Sequence, residues 1–333
     1  MAIYNPSGAD GVHIDVVLTQ VSLAWPNQGA VGEELFPVVP VKKQSDKYYI
    51  FGREAWLLES SDHRAPGTEA NEIPGLRVSL DTYYAQEHAL QVAVTDEERE
   101  NADSPLSPDI DGTELVTSKI LLSREVAMQT MVTTVANYAT ANTVTLAGGT
   151  QWNVANTSHP ILDVRTGQRA INAKIFMDPN IAVIPYSVMS ILQDHQDIIL
   201  RIQYSERAIL TPDIIAAVFG IAEIIVPGLA IGTGAIGTSG NAVTASYLWG
   251  KDVILAFVPD SPGLKKVAFA YEFVWGYAGN AMMTDRWREQ RRKADIIRVG
   301  RRYDLKFTAV EINPASADFN KAIAGYLIKA AIA

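Results

Sequence analysis

Val78, Leu80, Thr82 and Tyr84 alternate with Arg77, Ser79, Asp81 and Tyr83, a period of two that predicts a strand with one wet face over residues 76–84. Residues 46–51, with Tyr48, Tyr49, Ile50 and Phe51 in succession, predict a second strand. Between them residues 59–74 hold Ser60, Ser61, Asp62, Pro66, Gly67, Asn71 and Pro74, a polar tip. Such a two-stranded ribbon is marginal in water by itself, so it must lie on something else, in this chain or another. Upstream, residues 1–38 show little periodicity. They are punctuated by Pro6, Gly8, Gly11, Pro26, Gly29, Gly32 and Pro37 yet carry Val16, Val17, Leu18, Leu23, Trp25, Leu35 and Phe36. This pattern predicts an extended arm whose apolar side chains need a seat, because leaving them wet forfeits about 25 cal/mol per Å².

Downstream the period lengthens. Leu121, Met128 and Val135 recur every seven residues, with Leu115, Leu122, Val132 and Tyr138 on neighbouring rows, and residues 109–141 contain no proline. They predict one helix, roughly 45 Å long at 1.5 Å per residue, introduced by Ser107-Pro108-Asp109. Ile161, Val164, Ile171 and Ile175 predict a second amphipathic helix over 160–175. From 181 to 226 short strands and helices alternate, a mixed α/β layer pattern. After a glycine-rich stretch at 228–240, strand-like runs follow at 247–250, 253–258, 267–275, 295–299 and 303–310.

The 333 residues are 48% apolar and 20% charged, the balance of a chain with one or two sizeable cores. No apolar run reaches the roughly 18 residues of a membrane span, there is no signal-peptide pattern, and there is no cysteine. Cytosolic synthesis is expected, without disulfides or a thiol nucleophile. The net charge of −9 is uneven: residues 1–140 carry 9 Lys and Arg against 21 Asp and Glu, whereas residues 263–333 carry 13 against 7. Either these are solvated faces of one molecule, or the acidic front of one copy meets the basic back of another. The basic cluster includes Arg286, Arg288, Arg291 and Arg292. It reads mainly as ion pairing to a neighbouring copy, with nonspecific DNA contact as the lesser reading.

Little points to catalysis. Gly232-Thr233-Gly234-Ala235-Ile236-Gly237 matches G-x-G-x-x-G, but it runs into Thr238-Ser239-Gly240, poor material for the helix that a dinucleotide site requires. A pliable glycine-rich loop (Gly232, Gly234, Gly237, Gly240) accounts for it better. The five histidines form no metal-binding pair, and His195, between Asp194 and Asp197, reads as part of a capped helix end. No cofactor or metal is expected.

The order of these segments resembles the major capsid proteins of tailed bacteriophages, the Hong Kong 97-type fold. The ending, Ile297-Arg298-Val299-Gly300-Arg301-Arg302-Tyr303-Asp304 and then Gly325-Tyr326-Leu327-Ile328, looks like the closing strands of these proteins. The resemblance implies an α+β fold with an N-terminal arm (1–38), an E-loop β-ribbon (39–90) and a peripheral domain over 91–179 that includes a spine helix at 109–141. An axial domain (180–258) and peripheral return strands (259–333) would complete it. It further implies a non-enzymatic shell protein that forms homopentamers and homohexamers around double-stranded DNA, located in the virion after assembly in the host cytoplasm and making no membrane contact. Trp25, Phe36, Tyr48, Phe51 and Trp56 would bury themselves on neighbouring copies. A portal is an implied partner; since the E-loop is reached within about 40 residues of Met1, a separate scaffolding protein, or none, is expected, and a decoration protein can be accommodated. Some relatives crosslink through an E-loop lysine; after Lys47 none appears until Lys119, so that crosslink is expected to be absent. Rival readings are an encapsulin-like compartment shell and, more remotely, a nucleotide-binding α/β enzyme.

Overall fold

A computed structural model describes residues 29–51, 59, 62–70, 72–73, 78–103, 106–154, 157–203, 210–233, 244–263, 265–276 and 282–333. Among these, the chain opens with a short helix α1 (Gly32–Leu35) and strand β1 (Val38–Val41), followed by the ribbon strands β2 (Ser45–Phe51) and β3 (Val78–Tyr84). Next come β4 (Gln86–Thr95), α2 (Asp96–Glu100), the long helix α3 (Pro108–Thr133), β5 (Thr143–Thr145) and α4 (Pro160–Ile175). A compact run follows: β6 (Ile181–Val183), α5 (Tyr186–Gln193), α6 (Gln196–Ile202), α7 (Pro212–Phe219), β7 (Glu223–Ile225), β8 (Ala230–Thr233), β9 (Thr244–Tyr247) and β10 (Val253–Ala256). The last strands are β11 (Ala270–Trp275), β12 (Met282–Glu289), β13 (Ala294–Phe307) and β14 (Gly325–Lys329).

Two five-stranded sheets organise these elements. In the first, β13 is the hub: β4 pairs along one edge, β12 and then β11 along the other, all antiparallel, and β1 adds parallel to β11. The second has the order β5-β14-β10-β6-β7. The ribbon ends at Tyr84, because residues 86–95 enter the first sheet as β4, and β5 and β14 belong to the sheet of residues 180–258. Gly325 opens β14 where a Cβ would stand 2.2 Å from the Phe269 ring, so only glycine lets that strand approach.

Helix α3 joins the sheets. Pro108 at its first turn and Asp109 and Asp111 beside it suit a helix start. It ends at Thr133, short of the predicted 141, because side chains take up its last carbonyls. Asn137 donates to Met131 O at 2.7 Å, Tyr138 Oη to Val132 O at 2.7 Å, and Lys329 Nζ to Thr133 O at 3.0 Å. Its 26 residues span about 39 Å. One core, with Leu35, Phe36, Met128, Val132, Trp249 and Phe269, lies where α3 meets the second sheet; the other, with Trp152, Val164, Ile171, Leu192 and Phe219, lies under α4–α7.

Candidate assembly surfaces

The ribbon is built in two parts. β2 and β3 pair antiparallel from Ser45↔Tyr84 to Phe51↔Val78, and residues directly opposite share a face. One face is held by the body: Tyr83 stacks on Phe273 at 5.0 Å between ring centroids, Tyr48 lies 5.2 Å from the same ring, and Tyr48 Oη donates to Asp81 Oδ2 at 2.7 Å. Burial, reinforced by that bond to Asp81, pushes the Tyr48 hydroxyl far above its usual range, so it stays a donor. The Tyr84 amide donates to Asp304 Oδ2 at 2.9 Å and fixes the root to β13. On the opposite face Tyr49, Val78, Leu80 and Tyr84 are 62%, 42%, 53% and 53% exposed. The alternation read from the sequence is real, but its apolar side faces water in the isolated chain.

Two of the aromatics expected on neighbours, Phe36 and Tyr48, have contacts within their own chain. Phe36 is fully buried at the junction core, 6.5 Å from Phe269, and Tyr48 packs on its own sheet, because the apolar root positions lie within reach of β11. Phe51 ends β2 opposite Val78. Trp25 and Trp56 fall outside the described residues.

Three of the four arginines of the basic cluster have acidic partners in their own chain. Arg286 meets Asp295 at 2.6 Å and Asp109 at 3.5 Å, Arg288 pairs with Asp96 and Asp295, and Arg292 lies 3.7 Å from Glu289. Arg298 pairs with Asp285 and Arg302 with Glu87. Acidic front and basic back therefore do meet, but inside one chain, because β4 and α2 are laid against β12 and β13. Arg291 is exposed, with no ion pair among the described residues.

Sequence reasoning missed the most deeply buried charges. Glu272 on β11 is completely buried and receives Arg124 through Nε at 3.0 Å and through a second guanidinium nitrogen, together with Arg301 at 3.1 and 3.0 Å. Arg124 also reaches Glu33 at 2.7 Å. Next to it, buried Glu125 accepts the Val31 amide at 2.9 Å, the Gly32 amide at 3.1 Å and Trp249 Nε1 at 3.0 Å. Two consecutive residues of α3 thus pin the segment 31–33, β11 and the turn that carries Trp249.

His195 starts α6: its Nδ1 accepts the Asp197 amide at 3.2 Å, which places the proton on Nε2, 2.9 Å from Ser158 Oγ. Ser158 in turn donates to Val154 O at 2.7 Å. With Nε2 protonated and both side chains buried, the pair is set for helix capping, not for base catalysis. Gly232 lies in β8, which pairs antiparallel with β9; Gly234, Gly237 and Gly240 fall outside the described residues. Among the described residues no acidic and histidine cluster is placed to hold a metal ion, and no helix is long and apolar enough to cross a membrane.

Comparison with known proteins bears on these surfaces. No family model matches the chain. The major capsid protein of Burkholderia phage BcepMu is 28% identical over 297 residues, 86% of this chain and 92% of that protein. A crystal structure of a phage-related protein from Bordetella bronchiseptica, 25% identical, superposes with a TM-score of 0.66 over 92% of this chain and 94% of its own. The subunit of the mature capsid of bacteriophage PhiM1, 11% identical, does so with a TM-score of 0.58 over 96% and 92%. Two sheets hung on a long helix, with a ribbon projecting from the first, are the Hong Kong 97-type capsid fold, and over most of its length this chain is similar to a phage major capsid protein.

Proposed function

We propose that this chain is the major capsid protein of a tailed bacteriophage, whose copies form the pentamers and hexamers of an icosahedral shell around double-stranded DNA. The observation that carries the reading is the ribbon: an apolar face of Tyr49, Val78, Leu80 and Tyr84 stands in water on a root that is firmly built into the body. A face of this kind is completed by burial on another molecule. The similarity to a phage capsid protein across 86% of the chain supports a sister copy as that molecule. Repeated head-to-tail contacts close into rings, and many modest contacts make a lattice that is hard to dissociate. The role is structural, and no reaction is assigned to it. The shell is built in the host cytoplasm and ends in the virion, with a portal, a separate scaffolding protein and, where present, a decoration protein as partners. Contact with the packaged DNA is nonspecific.

Negative-stain microscopy of the purified protein, with nucleic-acid content measured on particles from phage-producing cells, tests this. Closed shells and DNA-filled heads containing this chain are expected. A protein that stays a compact monomer at high concentration, or shells that hold only protein cargo in producing cells, would overturn it.

A further inference from the structure

Once the internal ion pairs are discounted, two of the charged and partly apolar patches among the described residues are opposite in sign. The exposed side of α4 carries Leu162, Arg165, Arg169, Ala173 and, at its C-cap, Phe176, spaced three or four apart and so aligned on one face. Arg165 and Arg169 border a depression of about 440 Å³ and have no ion pair among the described residues. Phe176 holds a left-handed backbone, φ 58°, that glycine or asparagine adopts with less strain, and keeps its ring 62% exposed. An arginine row with no ion pair among the described residues, ending in a strained, wet aromatic, is not what monomer stability alone selects.

The complementary patch surrounds the start of α3. Glu97, Glu100, Asp111 and Glu114 are exposed with no ion pair among the described residues, and between them Leu106 and Ile110 are 65% and 60% exposed. The Arg99–Asp109 pair at 2.8 Å holds α2 against the first turn of α3, so this patch is one surface.

We propose that the acidic and apolar patch at the start of α3 in one copy docks on the arginine and phenylalanine face of α4 in the next. The inference rests on the shell reading and names a second contact for it, separate from the ribbon. The match is double: carboxylates meet guanidiniums, and Leu106 and Ile110 meet Leu162 and Phe176. Because the two patches lie on different parts of one chain, the contact is head-to-tail and repeats around a ring.

Charge exchange tests it. The variant R165E/R169E is expected to fold, as judged by its melting curve, and to lose shell formation in sedimentation and micrographs; adding E97K/E100K/E114K is expected to restore shells. Since the chain has no cysteine, L106C/F176C shells treated with a short bismaleimide are also expected to yield covalent oligomers that neither single variant gives. The contact is overturned if R165E/R169E assembles normally, if the exchange does not restore shells, or if intact double-cysteine shells give no oligomers. Loss of DNA retention with unchanged assembly overturns it too, assigning the depression to phosphate. Failure of the wild-type chain to form shells would count against the shell reading alone.

Discussion

Arg124 and Glu125 are 4% and 3% exposed, although a hydrophobicity pattern assigns such residues to the solvent side. The buried row of α3 is Val116, Ile120, Arg124, Met128 and Val132, an i, i+4 series, whereas Leu121 and Val135 of the seven-residue pattern are each 39% exposed. The row was partly legible, since Arg124 lies four residues before Met128, but its charge disguises it. Glu272 receives two arginines in a dry site, and only Arg124 has a second carboxylate, Glu33, so Glu272→Ala leaves Arg301 without a carboxylate and is expected to cost about 3–5 kcal/mol in denaturant unfolding of the unassembled chain. Glu33→Ala, at the exposed end of the same network, is expected to cost under about 1 kcal/mol. Equal effects would mean that Glu272 is not the hub. His195 gives a pH prediction at this scale. Burial pushes its pKa below 6.5, with His159 adding to the depression and Asp197 opposing it. The unfolded chain therefore binds that proton more readily than the fold does. The stability from His195 is present above about pH 6.5 and is lost as pH falls below it. In His195→Asn, which keeps a cap acceptor, the fall in melting temperature between pH 7 and pH 5.5 should be smaller than in the wild type.

At the scale of elements, α4 was fully legible: Pro160 marks its first turn and the apolar spacing runs to Ile175. The ribbon strands were legible from their alternation, but not which face the body covers. β4 and β12 were not legible. Gln86-Glu87-His88 and Asp285-Arg286-Trp287-Arg288 are strand residues only because β13 lies between them, offering hydrogen bonds along 10 and 8 residue pairs and ion-pair partners to both. Substituting the outer ribbon face, Tyr49→Asp with Leu80→Asp, is expected to leave the melting temperature within a few degrees of wild type, since both side chains are already wet. Shell formation should be lost. A large drop in melting temperature would show instead that this face is covered within its own subunit.

At the scale of the whole molecule, part of the charge asymmetry of the sequence is spent internally. Glu87, Asp96 and Asp109 clip the front of the chain to Arg302, Arg288 and Arg286. These pairs are partly exposed, each contributes at most about 1 kcal/mol, and salt screens them. The contact proposed above uses other charges, on α4 and at the start of α3, that have no ion pair among the described residues. The ribbon root offers Lys47 in β2, opposite Thr82, and the next lysine is Lys119 on α3. Mature particles boiled in detergent are therefore expected to run mainly as one band near 36 kDa, whereas a ladder of covalent oligomers would refute the absence of a ribbon crosslink.

The sequence by itself determined the order of parts, the existence of a ribbon and a long helix, and the absence of any cysteine chemistry, because periodicity, turn residues and composition are local properties that need no partner. Only the tertiary structure decided which face of each element is dry, where Arg124 and Glu125 point, and that the Arg286 and Arg288 cluster is answered by Asp96, Asp109 and Asp295 of the same chain. Those outcomes depend on residues distant in sequence being brought within 4 Å of one another, and a pairing across nearly two hundred residues leaves no periodic trace in either partner.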